Sequence, residues 1–576
     1  MRIIKLQRRP DVDISCLPTE LPPLLRKIYA SRGVQSAQEL DNSLRQLTIY
    51  TSLTGIDGAV ARLVQAMNKH ERIIIIGDFD ADGATSTALC LLSLKRLGAT
   101  NVDYLIPNRF EEGYGLSCEV VEQALAKGVD VILTVDNGIS SHAGVELANQ
   151  HGVDVVVTDH HLPGETLPEA CAIVNPNLTD CPFPSKALAG VGVAFYLMLA
   201  LRAQLRKEDW FTTQHIAEPN LAEYLDLVAL GTVADVVALD GNNRVLVHQG
   251  LNRIRSGHCR VGIKALLEVA NRQAKNLTAS DLGFVLGPRL NAAGRLDNMS
   301  LGVALLVSDD ITTARQLAFE LDELNQARKE IELEMRHDAM QLCDKIILSE
   351  ETLPTGLAIY HPDWHQGVIG ILASRLKERF FRPVIAFAPT GDGFLKGSGR
   401  SIPGLHLRDA LERIDTQHPH LITKFGGHAL AAGLTIPENS LAEFKHAFET
   451  LVAQWLSPEQ LNGVIWSDGE LDNSQLTLAM AELLRDSGPW GQAFPEPVFD
   501  GYFTVIQQRI VGGHHLKLML EPEHGGNLID AIAFNIDTQI WPDASIRHIQ
   551  AAYKLDVNEF RGNRNVQMLI EHLWPK

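Results

Sequence analysis

From Arg72 to about Ala238 the chain repeats one pattern, a short apolar run rich in β-branched residues followed by an amphipathic stretch. "RIIIIG" precedes "TSTALCLLSLKRLG", "VDYLIP" precedes "LSCEVVEQALAKG", "VDVILTV" precedes "HAGVELANQHG", and "VDVVVT" follows. Such runs are too short for buried helices, and their lack of polar alternation requires cover on both faces. Strands alternating with helices in this way predict βαβ units and a parallel sheet between two helical layers, an α/β fold.

Parallel strands share one carboxyl edge, and ligands of open α/β sheets bind in the crevice outside it. Three of these runs carry acids at that edge. "GDFDADG" puts Asp78, Asp80 and Asp82 behind the first strand, "VDNG" puts Asp136 behind another, and "VTDHH" puts Asp159, His160 and His161 behind a third. Singly each is weak, since Asp-Asn-Gly is a common turn and an acidic run is often a solvated loop. Converging at one edge, the carboxylates repel strongly unless a multivalent cation lies among them. Hard oxygen donors with one imidazole and no thiolate suit Mn²⁺ or Mg²⁺. The donors outnumber the needs of one octahedral ion, which predicts two ions about 3.5–4 Å apart with a bridging carboxylate. Asp136, at the middle strand, is the bridging candidate. In "LDLVALGTVADVVAL" the spacing of Asp226 and Asp235 puts them on opposite faces of a continuous helix, so at most one faces the ions. Gly231 is expected to loosen the end of that helix and favours Asp235.

At 576 residues the chain exceeds what one hydrophobic core holds. Residues 1–70 read as a polar helical segment, 71–310 as the α/β domain, 311–348 as one long connecting helix, and 349–452 as a second α/β domain. In residues 453–576, after Pro495 and Pro497, the pattern changes to alternation: "YFTVIQQRIV", "HLKLMLE", "LIDAIAFN", "IQAAYKLDVNEF" and "NVQMLIEHL" predict a five-stranded β-barrel.

A net charge of −19 argues against a protein that coats nucleic acid indiscriminately, while allowing a local basic groove. Seven scattered cysteines without a CxxC pair predict reduced, mostly buried thiols rather than a disulfide framework or a thiolate zinc site. No signal peptide and no membrane span is read from the sequence, so a cytoplasmic protein is expected.

In order, "GDFDADG", "VDNG", "TDHH" and "DLVALGTVADVV" resemble the motifs of the DHH phosphoesterase superfamily. "NRFEEGYGL", "GPRLNAAGRLD", "WHQGVIGILASR", "GSGRSI", "GGHALAAG" and "LDVNEFRGNRNVQMLIE" resemble its single-strand-specific 5′→3′ DNA exonucleases. The resemblance runs from about Ile74 to the C-terminus. It implies metal ligation by Asp80, Asp82, Asp136, His160 and Asp235, with Asp78 nearby, and His161 facing the phosphate as hydrogen-bond or proton donor. The second domain resembles a DHHA1 module and the barrel an OB fold. In "KGSGRS" and "GGHALAAG", Lys396, Ser398, Arg400, Ser401 and His428 stand among glycines, a composition suited to a phosphate. Arg109, Arg289, Asn291 and Arg295 are further candidates for backbone contacts. In the barrel, Tyr502, Phe503, Phe560, Arg561 and Arg564 offer stacking and charge, with a core role the commoner one for the aromatics.

The resemblance further implies single-stranded DNA as substrate, mononucleotide products, a role in DNA recombination and repair, and cooperation with a helicase and a single-strand binding protein; a monomer is expected. One stretch departs from the family's usual form: "GPWGQAFPEP", residues 488–497, carries Trp490 and Phe494. Two other functions fit parts of the pattern. A small-substrate phosphodiesterase or pyrophosphatase would share the metal site but has no use for a barrel, and an inactive DHH scaffold subunit would have lost acidic ligands that are all present here.

Overall fold

The computed structural model describes residues 4–350, 353–538, 540–560 and 562–576, without the side chains of Ser349, Glu350 and Phe560. It comprises two compact units, one of Arg8–Asn325 with Ser467–Lys576, the other of residues 4–7 with Gln326–Trp466.

The first unit holds a five-stranded sheet in the order Val102–Leu105, Ile73–Ile76, Val131–Val135, Asp154–Thr158, Ala172–Val174. Every neighbouring pair in it is parallel. In chain order this is 2-1-3-4-5, so the winding direction reverses between the first and third strands, where doubly wound sheets bind ligands. Ile73–Ile76 are at most 1% exposed, as strands covered on both faces must be.

The register fixes the acids. Ile76 pairs with Thr134 and Thr134 with Val157. Asp78, Asp136 and Asp159 each follow their paired residue by two, so all three emerge at the same height beyond the sheet edge. Helices Ala81–Leu97, Gly190–Lys207 and Leu225–Ala234 pack on one another over the sheet.

The C-terminal strands Phe499–Val511, His515–Pro522, Ile529–Ala533, Asn563–Pro575 and His548–Phe560 close into the expected barrel. Phe503 is 4% exposed and meets Tyr553 edge-on at 5.7 Å, a core position rather than a stacking one. Tyr502 is half-buried, with Lys576 Nζ 3.5 Å over its ring. Arg564 is held by Glu482 and Glu559, both at 2.8 Å. Arg561 and the side chain of Phe560 lie outside the described residues.

The second unit carries a mixed five-stranded sheet, in the order Lys424–Gly427, Ala431–Pro437, Phe394–Arg400, Val384–Pro389, Leu357–Tyr360. Residues 311–348, expected as one helix, lie in the unbroken helix Ile311–Glu350. The N-terminal segment is not wholly helical. Before helices Pro23–Ala30 and Ile56–Asn68 comes strand Ile4–Arg8, which pairs with Gly463–Ser467, a long-range partner no local pattern announces. All seven cysteines are free, but only Cys90, Cys181 and Cys343 are buried, because most of the others fall on loops or helix ends.

Candidate metal centre

The acids beyond the sheet edge are held in place by backbone amides. Asp80 caps helix Ala81–Leu97, its Oδ1 accepting the amides of Asp82 (2.9 Å) and Gly83 (3.0 Å). Asp82 accepts from Gly190 (2.6 Å) and Val191 (2.9 Å), the first amides of helix Gly190–Lys207. These contacts place a carboxylate at a positive helix terminus and leave no room beside it. A Cβ at Gly190 would lie 2.6 Å from Asp136 Oδ1, and one at Gly231 would lie 2.2 Å from Thr85 Oγ1. Gly231 thus sits mid-helix for close packing, not to loosen the helix end as the sequence suggested. The helix Leu225–Ala234 runs unbroken and delivers Asp235 at its C-cap. Asp226 is fully buried elsewhere, accepting the amides of Arg260 (2.6 Å) and Leu227 (2.8 Å).

Asp136 takes φ +64°, a left-handed conformation that Asp tolerates and that clusters at functional sites. Asn137 steadies this turn by donating to the carbonyls of Ile76 (3.0 Å) and Val135 (2.9 Å). His160 Nε2 lies 3.1 Å from Asp136 Oδ1 and 3.4 Å from Asp235 Oδ2.

Three groups of ligand atoms result, each within 4.8 Å of one another: Asp82, His160 and Asp235; Asp78, Asp80 and Asp136; and Asp136, His160 and His161. Two of these triads share no residue, and Asp136 and His160 each stand in two of the three groups, with Asp136 Oδ1 3.1 Å from His160 Nε2. Oδ1 of Asp78 and of Asp136 are buried and accept no hydrogen bond among the described residues. Burial and then the charge of Asp80 push Asp82 up to about 7. Burial and neighbouring carboxylates likewise hold Asp78, Asp136 and Asp235 well above the ordinary range. Buried orphan oxygens, mutual repulsion and a set of carboxylate oxygens with one imidazole in the two disjoint triads fit divalent Mn²⁺ or Mg²⁺.

His161 stands in one of the three groups but in neither of the two disjoint triads, and its Nδ1 is engaged by Asp159. Asp159 Oδ1 accepts from the His160 (2.7 Å) and His161 (3.0 Å) amides and lies 2.7 Å from His161 Nδ1. Burial disfavours the imidazolium, yet the Asp159 hydrogen bond and charge raise His161 to about 9.

Two aromatic neighbours were not anticipated from the sequence. The Tyr114 hydroxyl lies 3.2 Å from the Asp136 carbonyl and 3.3 Å from His161 Nδ1. Phe79 meets the Tyr114 ring edge-on at 5.9 Å, and Arg109 lies with Cζ 4.1 Å above the Phe79 ring. The signal was present in "DFDAD" and "EEGYGL", but only its acids and glycines have obvious chemistry. Arg109 thus joins the site, its charge near Asp78 and Asp80.

The other basic candidates have structural partners. Asn291 Oδ1 accepts the Ala81 amide (2.8 Å), anchoring the acidic loop, and Arg289 pairs with Asp322 (2.8 Å). Arg295 is half-buried near the end of helix Gly287–Leu296. In the second unit Arg400 donates to Ser398 Oγ (3.2 Å), and a Cβ at Gly370, by the start of helix Ile369–Phe380, would meet both side chains. Lys396 shares their strand, Ser401 is buried and donates to the Leu405 carbonyl (2.8 Å), and His428 is exposed.

Residues 72–232 match the model of the DHH family N-terminal domain, 353–454 the DHHA1 domain, and 467–572 the RecJ OB domain. The single-stranded-DNA-specific exonuclease RecJ of Dickeya dadantii is 66% identical over 573 residues, covering 100% of this chain and 99% of that one. The Escherichia coli protein of the same name is 64% identical over 572 residues, covering 99% of each. The crystal structure of RecJ in complex with Mn²⁺ from Thermus thermophilus aligns with a TM-score of 0.80 at 30% identity, covering 100% of this chain and 80% of that one. Its Mg²⁺ complex aligns with a TM-score of 0.74 at 28% identity, covering 100% and 79%. With this identity along its whole length, and with DHH, DHHA1 and RecJ OB domains matched in turn, the chain belongs to the RecJ family.

Proposed function

We propose that this chain is a metal-dependent exonuclease specific for single-stranded DNA. The observation that carries the assignment is the meeting of Asp78, Asp80, Asp82, Asp136, His160 and Asp235 in two disjoint ligand triads beside His161. The named relatives are exonucleases of single-stranded DNA, and their similarity extends through the barrel, which a small substrate would not need.

The six residues would hold two Mn²⁺ or Mg²⁺ ions. Bound there, the ions supply Lewis-acid stabilisation of the charge that builds on the phosphate and acidify the attacking water. The protein's own part is orientation. Asp159 accepts the Nδ1 proton of His161, which leaves Nε2 to donate a hydrogen bond or a proton to the phosphodiester. Tyr114 steadies both His161 and the Asp136 turn. The Arg109 guanidinium, spread over Phe79, is pre-set to donate to phosphate oxygens. Ser398, Arg400 and His428 add contacts to the strand's phosphates, as do Ser401, Arg289, Asn291 and Arg295 where their structural bonds leave donors. The resemblance read from the sequence extends the assignment to 5′→3′ polarity, one mononucleotide per cycle, and work in DNA recombination and repair as a cytoplasmic monomer beside a helicase and a single-strand binding protein.

The test is an incubation with end-labelled single-stranded DNA, duplex DNA, a dinucleotide and pyrophosphate, each with Mn²⁺, Mg²⁺ or chelator. Mononucleotides released from a labelled 5′ end of the single strand only, and lost in Asp136→Ala, are the expected result. Cleavage confined to the two small substrates would overturn the assignment.

A further inference from the structure

One residue past Asp235 the backbone turns sharply: Val236, β-branched, holds φ +62° and is 63% exposed. Left-handed backbone at such a residue is strained and persists only where the surroundings enforce it. Val236 opens onto a cavity of about 340 Å³ inside the first unit. Phe284 lines one part of it, and Pro489 and Trp490 another. Trp490 belongs to "GPWGQAFPEP", a stretch that the metal centre does not use.

The walls are flat, and one of them is fixed. Trp490 Nε1 donates to the Leu484 carbonyl (2.8 Å), and its ring, 9% exposed, is stacked with Phe494 at 5.2 Å and Tyr29 at 6.0 Å, with Arg32 Cζ 5.6 Å over it. Phe284, on the π-helical turn Leu282–Leu286, is 83% exposed, an unusual state for a phenylalanine. Of the cations lining the cavity, Arg485 pairs with Asp486 (3.1 Å) and Lys554 with Glu496 (3.2 Å) and Glu571 (3.0 Å). Arg255 donates only its Nε, to the Leu277 carbonyl (2.8 Å); among the described residues its terminal nitrogens meet no acceptor.

Flat apolar walls beside one guanidinium with open donors suit an aromatic body carrying an anion. The volume lies near the small end of ligand sites, roughly 300–1,000 Å³, which admits one such molecule and excludes a folded segment. We propose that this cavity binds a single nucleotide, its base on the exposed ring of Phe284, with Trp490 as part of the fixed wall, and its phosphate on Arg255. The choice of a nucleotide rests on the nuclease reading, which makes 5′-mononucleotides the enzyme's product. Two sources share this chemistry, a free mononucleotide and one nucleotide of a bound strand. Either would touch Val236 and so reach the chain next to Asp235.

The test is equilibrium dialysis of the full chain in EDTA against dAMP, deoxyadenosine and inorganic phosphate. Saturable dAMP binding is expected, with deoxyadenosine weaker by about tenfold or more. Arg255→Gln should weaken dAMP by about tenfold and deoxyadenosine hardly at all. Phe284→Ala, at an exposed position where folding is not at stake, should weaken both several-fold. Added (dT)12 that displaces this Arg255-dependent dAMP identifies the strand as the source, and dAMP retained beside (dT)12 identifies the free nucleotide. Absence of saturable binding, or binding indifferent to both substitutions, overturns the proposal. Strand hydrolysis is measured on the same preparation, so that an active enzyme without dAMP binding condemns the cavity alone, whereas a preparation inactive on every strand condemns the nuclease reading.

Discussion

Asp159 Oδ1 lies 2.7 Å from His161 Nδ1, while its second oxygen is held by the Ile139 amide at 2.9 Å. The carboxylate is 1% exposed and cannot turn away, so it fixes both the tautomer and the direction of the imidazole. An amide at this position would offer the ring either a donor or a single acceptor and lose the charge. Asp159→Asn is expected to lower kcat about 10- to 100-fold while leaving the Mn²⁺ titration close to wild type. Steady-state release of labelled mononucleotide, with calorimetric metal binding alongside, checks this. An unchanged kcat would remove Asp159 from the mechanism.

Tyr114 acts through its hydroxyl, which reaches the Asp136 carbonyl and His161. Tyr114→Phe keeps the ring packed against Phe79 and His161 and removes only that link. The loss of one hydrogen bond of about 1 kcal/mol predicts a several-fold fall in kcat with little change in thermal stability. A kcat equal to wild type, with KM also unchanged, would show the hydroxyl to be idle.

Without ions, the acidic cluster should make the protein sensitive to pH. Burial and neighbouring carboxylates raise Asp82 to about 7 and hold Asp78, Asp136 and Asp235 well above the ordinary range. Each then binds its proton more tightly in the folded chain than in the unfolded one. The stability gained is fully present below about pH 4 and is lost as pH rises through about 7. Melting curves in EDTA should therefore shift to lower temperature between about pH 5.5 and about pH 8 through this cluster. Mn²⁺, which replaces the protons, should raise the melting temperature more at the higher pH than at the lower. An equal Mn²⁺ effect at both pH values would contradict the account.

The two acids of "LDLVALGTVADVV" should separate cleanly on substitution. Asp226→Ala removes the acceptor of two buried amides, at Arg260 and Leu227, and should cost about 1–3 kcal/mol in chemical denaturation while sparing metal affinity. Asp235→Ala should do the reverse, abolishing mononucleotide release and weakening Mn²⁺ binding with a near-normal denaturation midpoint. If both variants lose metal binding, the assignment of Asp226 to the fold is wrong.

Phe503 offers a control on the barrel. With 4% exposure and its ring against Tyr553, Phe503→Ala should destabilise the protein by about 3–5 kcal/mol. A stable variant that has lost only affinity for single strands would instead place this ring at the DNA.

Much of this was legible in the sequence because the information is local. Four consecutive isoleucines can only be a doubly covered strand, and a parallel sheet sends every carboxyl end to one edge. Strand polarity therefore brings Asp78, Asp136 and His160 together from the sequence, and strict alternation after Pro497 announces the barrel in the same way. Side-chain direction and long-range pairing were not legible. Spacing put Asp226 and Asp235 on different faces but did not say which face met the acids; the packing of Gly231 on Thr85 decided that. Asn291 has the composition of a phosphate contact, and only its meeting with the Ala81 amide, from a distant part of the chain, shows it anchoring the acidic loop. Strand Ile4–Arg8 forms because Gly463–Ser467 comes alongside it. Periodicity and strand polarity are properties of neighbouring residues, so the sequence alone determined the layers and the edge where the chemistry sits. Which oxygen accepts which amide, and which cation keeps open donors beside Trp490, depends on surfaces that meet only when the chain is folded.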